Sequence, residues 1–231
     1  REVMLRVNGT DTQWHQYDIH CALALPISGI VLPKVESAKA VQVVIDVINS
    51  QISNTVMSAD YTIWPMIETP TGVFAVRDIV NADAKVDCLV MGTSDLAKEL
   101  RLPASPNREG LLFSLSQCVL AAAEKRIDVL DGVCLAIKDS DALEQQLAQG
   151  KQLGFTGKTL IHPSQIDATN HTFGISDAER LHAESVIAIW HEAEASGDGV
   201  AVLNGKLIEN LHYADALRVL ALAKAISESR L

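Results

Sequence analysis

The sequence predicts an α/β fold in which a mostly parallel sheet forms the wall of an eight-stranded (β/α)8 barrel. Three observations predict it. Short apolar runs alternate with stretches of helical periodicity, the pattern of parallel strands joined by crossover helices. Two neighbouring runs end in carboxylates, Glu68 and Asp95, 27 residues apart, which is about one βα unit. No glycine-rich phosphate turn follows any strand, which removes the usual signature of a doubly wound open sheet.

Taken in order, Val3–Val7 reads as a strand ending at Asn8-Gly9, and Gly29–Leu32 as the next. Pro33-Lys34-Val35-Glu36 closes that strand and leads to a helix from Ser37 to about Asn49. Thr62–Ile67 is a strand tipped by Glu68, followed by the turn Thr69-Pro70-Thr71-Gly72 and a helix with Val73, Val76, Ile79 and Val80 on one face. Cys88–Met91 repeats the pattern, with Gly92-Thr93-Ser94 as the turn and Asp95 opening a helix. That helix is expected to break at Leu102–Pro106, a loop able to move. A long helix then runs from Arg108 or Glu109 to Arg126 with Leu112, Leu115, Val119 and Ala122 on one face. Gly132–Ile137 is expected as a fifth strand, Asp139–Leu153 as a helix, and Lys158–Ile161 as a sixth strand.

Six parallel strands do not close a packed barrel, whereas eight do. The chain starts at Arg1 without an initiator Met and runs straight into a strand. A TIM-type barrel lacking its first two βα units is therefore expected over residues 1–173. Residues 174–231 are expected as a C-terminal helical extension packing on a neighbouring subunit. Within it, Ser176 caps a helix to about Ala195, Ser196–Gly199 is a turn, and Val200–Leu203 pairs with Lys206–Ile208 over Asn204-Gly205. Tyr213–Ser229 is the last amphipathic helix.

The 231 residues are 48% hydrophobic and 21% charged with a net charge of −10, and no basic cluster stands out. Nucleic-acid binding is not expected. No apolar run reaches membrane-spanning length, so no membrane association is expected. Cys21, Cys88, Cys118 and Cys134 lack metal-ligand or redox spacing. Reduced core residues in a cytoplasmic protein are expected, with Cys88 and Cys134 in strands.

On the C-terminal ends of neighbouring barrel strands, Glu68 and Asp95 would meet at one mouth, where catalytic groups belong. Two convergent carboxylates suit a hard cation such as Mg²⁺ held with waters and substrate, as against two plain helix caps.

Several stretches, in order, resemble one family: Leu5–Asn8, Leu32–Glu36, Ile67–Gly72, Gly92–Leu96, Gly157–Gln165 and Asn204–Glu209. The chain resembles the HpcH/HpaI aldolase/citrate lyase superfamily, in its branch like the citrate lyase beta subunit. The resemblance implies a barrel, a homo-oligomer (trimer or hexamer), Mg²⁺, and Claisen-type chemistry on a 3-hydroxyacyl thioester. It implies Glu68 and Asp95 as metal ligands, with Glu68 also facing substrate. Arg6 is implied as a catalytic and substrate-binding guanidinium. Such a site stabilises negative charge building on a thioester oxygen. Glu209 is implied as catalytic: it matches the position of the base, an acid donated across a subunit interface, where the family usually carries Asp. Glu36 and Lys34 are expected at the mouth, and His162 as a hydrogen-bonded structural residue. The acidic motif that the family carries on its second strand would lie upstream of Arg1.

The implied activity is cleavage of citramalyl-CoA or malyl-CoA to acetyl-CoA and a 2-oxo acid. Alternatives are a citrate lyase beta subunit acting on an acyl-carrier-protein thioester, a class II aldolase releasing pyruvate, and a catalytically silent scaffold homologue.

Overall fold

The computed structural model describes residues 2–51, 56–57, 60–103, 105 and 107–229. Arg1, and Ala104 and Pro106 of the expected break, lie outside the described residues. The fold divides into two compact units between Thr169 and Asn170.

In the first unit the order is β1 (Met4–Arg6), α1 (His15–Leu23), β2 (Gly29–Leu32), α2 (Ala38–Gln51), β3 (Thr62–Ile67) and α3 (Pro70–Val80). There follow β4 (Cys88–Met91), α4 (Thr93–Glu99), α5 (Leu112–Lys125), β5 (Asp128–Asp131), α6 (Ser140–Leu153), β6 (Gly157–Lys158) and the start of α7 (Ile166–Phe173). Among the described residues six strands form one sheet in sequence order, each parallel to the last. An order without reversal means that every right-handed crossover advances the same way and lays its helix on the same face. A doubly wound sheet reverses at a switch point; this one curls as a barrel wall does.

Strand alternation then sorts the side chains. On β3, Ile63, Pro65 and Ile67 are buried toward the helices, while Thr62, Trp64 and Met66 on the other face are half-buried. The helices cover the first face with apolar stripes: Val41, Val44, Ile45 and Ile48 on α2, and Val73, Val76, Ile79 and Val80 on α3. Thr69 caps α3 by accepting from Gly72 N at 3.1 Å, with Pro70 in the first turn, where its missing N–H costs nothing.

The strand expected at Gly132–Ile137 is corrected to Asp128–Asp131, whose Cys88↔Asp128 register sets the parallel pairing with β4. Asp128 and Asp131 bracket only two apolar residues, Val129 and Leu130, a weaker apolar run than the one after them. Asp128 sits at the exposed edge, and Asp131 is neutralised by buried cations described below. The apolar stretch after it is a loop that leaves Leu135 66% and Ile137 43% exposed. Cys134 is accordingly buried in a loop rather than a strand. The sixth strand likewise spans Gly157–Lys158 instead of reaching Ile161.

Helix α1 had no strong apolar period to announce it. Tertiary hydrogen bonds hold it: Asp18 Oδ2 accepts from Asn8 N at 2.8 Å, and His15 Nδ1 meets Asn8 O at 2.8 Å.

The second unit holds α8 (Asp177–Ser196), β7 (Ala201–Leu203), β8 (Lys206–Ile208) and α9 (Asn210–Ser229). Ser176 and Glu179 form a reciprocal capping box at the start of α8, and Gly197 in the left-handed region ends it. Asn204 and Gly205, both at positive φ, make the hairpin turn. Trp190 stacks on Tyr213 with centroids 5.9 Å apart above a small core of Ala183, Val186 and Ile208.

Among the described residues no helix is long and apolar enough to cross a membrane. All four cysteines are free thiols. Burial pushes the Cys118 thiol up to about 12 and Cys88 upward as well, and Cys134 is fully buried. Only Cys21 is partly exposed. A thiol reagent at pH 7.5 is therefore expected to label one cysteine per chain in the native state and four after denaturation. Rapid native labelling of three or four would contradict this packing.

Candidate active site

A pocket of about 450 Å³ opens at the C-terminal ends of the strands, and the first unit alone builds it. Arg6 reaches it from the end of β1, Glu68 from the end of β3, and Asp95 from the first turn of α4. Val31, Trp64, Met66, Val90 and Leu130 form apolar walls, and Thr159 and Ile161 line the side beyond β6.

Glu68 is the most constrained of the charged groups. It is 7% exposed, and its Oε1 accepts from Lys34 N at 2.9 Å. Lys34 adopts φ 49°, a left-handed conformation that aims its amide at the carboxylate. On the other side Gly92 lies so close that a Cβ there would overlap Glu68 Cβ and crowd Oε2. A side chain at position 92 would drive Glu68 from its place, so this glycine is set by close approach.

Burial pushes the Glu68 carboxyl up from the ordinary range. The Lys34 amide opposes that push, the Asp95 charge adds to it, and the Lys34 and Arg6 charges pull back; the net direction is upward. A buried carboxylate facing a second carboxylate is uncomfortable without a cation. Among the described residues, no group of three or more His, Cys, Asp or Glu side chains could hold a metal. Two carboxylates at a mouth fit Mg²⁺, which keeps several waters and uses one or two protein carboxylates. Glu68 and Asp95 are the residues that would hold it.

The structure thus brings Arg6, Glu68 and Asp95 together. Glu209 belongs to the second unit, just after β8, with an exposed side chain. Its backbone is pinned: Glu209 N donates to His212 Nδ1 at 3.0 Å, and its carbonyl accepts from His212 N at 2.9 Å. Glu36 is exposed and is not among the residues lining the pocket, whereas Lys34 serves the site through its main chain. His162 Nδ1 accepts from Ser164 N at 3.2 Å and meets Ser164 Oγ at 2.8 Å, a local cap.

Sequence reading missed a buried charge cluster at the ends of β5 and β6. Asp131 is fully buried and accepts from Arg108 Nη1 at 2.7 Å and 2.9 Å and from Lys158 Nζ at 3.0 Å. Burial pushes Lys158 down from its ordinary value; Asp131 pulls it back up and the Arg108 charge adds to the depression. The signal was present in the sequence. Asp131 and Lys158 are 27 residues apart, the same βα period that singled out Glu68 and Asp95.

The HpcH/HpaI aldolase/citrate lyase family matches residues 1–163, which contain Arg6, Glu68 and Asp95. A (3S)-malyl-CoA thioesterase of Cereibacter sphaeroides is 41% identical over 224 residues, covering 97% of this chain and 75% of that one. The citrate lyase beta subunit from M. tuberculosis, solved in complex with oxaloacetate and magnesium, is 25% identical. Its TM-score is 0.61, with 74% of this chain and 72% of that chain covered. A citrate lyase from Burkholderia xenovorans shares the fold, with a TM-score of 0.82 at 18% identity, covering 98% of this chain and 73% of that one. This chain belongs to the HpcH/HpaI aldolase/citrate lyase family.

Proposed function

We propose that this protein acts on a short 3-hydroxyacyl-CoA of the malyl-CoA or citramalyl-CoA type, with Mg²⁺ held by Glu68 and Asp95. The observation that carries the reading is the meeting of one guanidinium and two carboxylates in a pocket with apolar walls. When bound there, the metal supplies Lewis-acid polarisation of a substrate carbonyl.

The chain's own residues supply the rest. Arg6 offers a planar fork that grips a carboxylate bidentately or meets a thioester oxygen as charge builds on it. The Lys34 amide fixes the Glu68 carboxylate, so that no reorientation is needed when substrate arrives. Met66, Val90 and Leu130 keep water from the walls, which strengthens every charge interaction inside. The reaction these groups suit is carbon–carbon cleavage. The substrate hydroxyl loses its proton, the C2–C3 bond breaks to leave a 2-oxo acid, and the electron pair passes to the acetyl-CoA enolate, which is then protonated at carbon.

A second reading is hydrolysis of the same thioester to free CoA and a hydroxy acid. The 41% identity to a protein named a (3S)-malyl-CoA thioesterase favours it. Arg6 would serve both, since each reaction builds negative charge on the thioester oxygen. Product analysis separates them: acetyl-CoA and glyoxylate for cleavage of malyl-CoA, CoA and malate for hydrolysis.

Glu209 is assigned the proton-transfer role, reached from a neighbouring subunit of a cytoplasmic homo-oligomer. Val200, Val202, Leu207 and Leu211 around the β7–β8 hairpin are 47%, 61%, 53% and 65% exposed, an apolar surface beside Glu209 that supports such packing. Glu209→Gln is expected to lower kcat about a hundredfold or more. Mixing Glu209→Gln subunits with Asp95→Asn subunits is expected to restore part of the activity, because mixed oligomers then contain complete sites. Full turnover by Glu209→Gln, or no recovery on mixing, would overturn the assignment.

A further inference from the structure

The buried cluster at the ends of β5 and β6 takes no part in the chemistry above, yet it is elaborate. One carboxylate, Asp131, meets two cations, and their side chains are 7% (Arg108) and 0% (Lys158) exposed. Lys158 Nζ also donates to Gly132 O at 2.5 Å and to Gln146 Oε1 at 3.3 Å, and Arg108 Nε donates to Gln149 Oε1 at 2.9 Å. Gly132 N returns a hydrogen bond to Asp131 Oδ1 at 2.8 Å. A buried ion cluster is weak evidence for stability, since apolar residues of similar volume often hold a corner as well or better. What this cluster does fix is the conformation of Asp131-Gly132.

That corner touches the pocket wall at two places. Gly132 lies against Thr93 so closely that a Cβ would overlap Thr93 Oγ1 and crowd its Cγ2 and Cβ. Thr93 is the first residue of α4, two positions before Asp95, and Gly92 just before it is the residue packed against Glu68. The Asp131 carbonyl accepts from Thr159 N at 2.9 Å and Thr159 Oγ1 at 3.0 Å, and Thr159 lines the pocket.

We propose that the Arg108–Asp131–Lys158 cluster positions the two carboxylates of the pocket: it holds Gly132 against Thr93, and Thr93 sets where Asp95 stands relative to Glu68. The inference rests on the reading that Glu68 and Asp95 hold a divalent cation. Supporting residues of this kind govern affinity by fixing the ligands' orientation. Lys158 and Arg108 are positioning residues, because neither lines the pocket.

The test is Mg²⁺ affinity by titration calorimetry, without substrate, on the full protein. Lys158→Met leaves the Arg108–Asp131 pair balanced and fills the same space, so folding is expected to survive, checked by circular dichroism. Its Mg²⁺ affinity is expected to fall about tenfold or more. Gly132→Ala is expected to weaken Mg²⁺ similarly by pushing on Thr93. Adding Thr93→Gly removes the atoms in the way and is expected to recover most of the loss, a coupling that a general loss of stability would not produce.

If the parent binds Mg²⁺ and Asp95→Asn does not, while Lys158→Met and Gly132→Ala bind like the parent, the positioning role is wrong and the metal site stands. If Gly132→Ala is weakened and Thr93→Gly fails to recover it, the route through Thr93 is wrong. If the parent binds no Mg²⁺, the underlying metal reading fails and takes the proposal with it. Should Lys158→Met not fold, the Gly132/Thr93 pair decides alone.

Discussion

Asp95→Asn is expected to cost about a thousandfold or more in kcat on the proposed CoA-thioester substrate while leaving the fold intact. Asn keeps the shape of Asp but removes the charge that faces Glu68 across the pocket mouth. A single carboxylate then remains to hold the cation. Metal activation of a carbonyl contributes several kcal/mol, and about 4 kcal/mol is a thousandfold in rate. The structural cost is small. Asp95 is exposed in the first turn of α4, where an acidic residue contributes roughly 0.3–1 kcal/mol through the helix dipole. Turnover should be measured over a range of Mg²⁺ concentrations, because a weakened site shows partial recovery at high metal. Undiminished turnover at low Mg²⁺ would remove Asp95 from the metal site.

The second large effect is on stability. Asp131→Ala is expected to destabilise the fold by about 3–5 kcal/mol, the usual cost of leaving buried charge without its partner. Arg108 and Lys158 are 8% and 7% exposed and share this one carboxylate, so its loss strands two cations and an orphaned Gly132 N–H. Against a typical domain stability of about 5–15 kcal/mol, that is a large share. Adding Lys158→Met to Asp131→Ala removes one stranded cation and is expected to recover part of the loss, so the two changes are not additive. Urea unfolding of the two variants and the parent measures both effects. A loss below about 1 kcal/mol for Asp131→Ala would mean that the cluster is not the closed, dry network described.

Much of this was legible from the chain because local signals and tertiary placement agreed. Glu68 could be found because it ends an apolar strand, precedes Thr69-Pro70 and recurs as Asp95 one βα unit on. The structure brings both to one pocket with Arg6. The capped helices α3, α6 and α8 were readable because Thr69, Asp139 and Ser176 satisfy the first free amides locally. β5 was misplaced because its flanking aspartates look like loop residues until Arg108 and Lys158 are seen against Asp131. The Arg108 contact across 23 residues carries no local signal, and the 27-residue spacing of Asp131 and Lys158 stands out only once β5 is placed at Asp128–Asp131. α1 escaped for a related reason: its anchoring bonds run to Asn8, outside the helix. Lys34 was placed at the mouth, but its use of a backbone amide in a left-handed conformation carries no side-chain signature.

The most direct test of the account is to incubate the full-length protein with malyl-CoA and citramalyl-CoA, with Mg²⁺ and with a chelator, and to identify every product. Turnover is expected with Mg²⁺ and none with chelator, with release of acetyl-CoA and glyoxylate or pyruvate. Free CoA with malate would move the reaction to hydrolysis at the same metal site. Turnover undiminished by chelator, or no turnover of either thioester by protein that binds Mg²⁺, would contradict it.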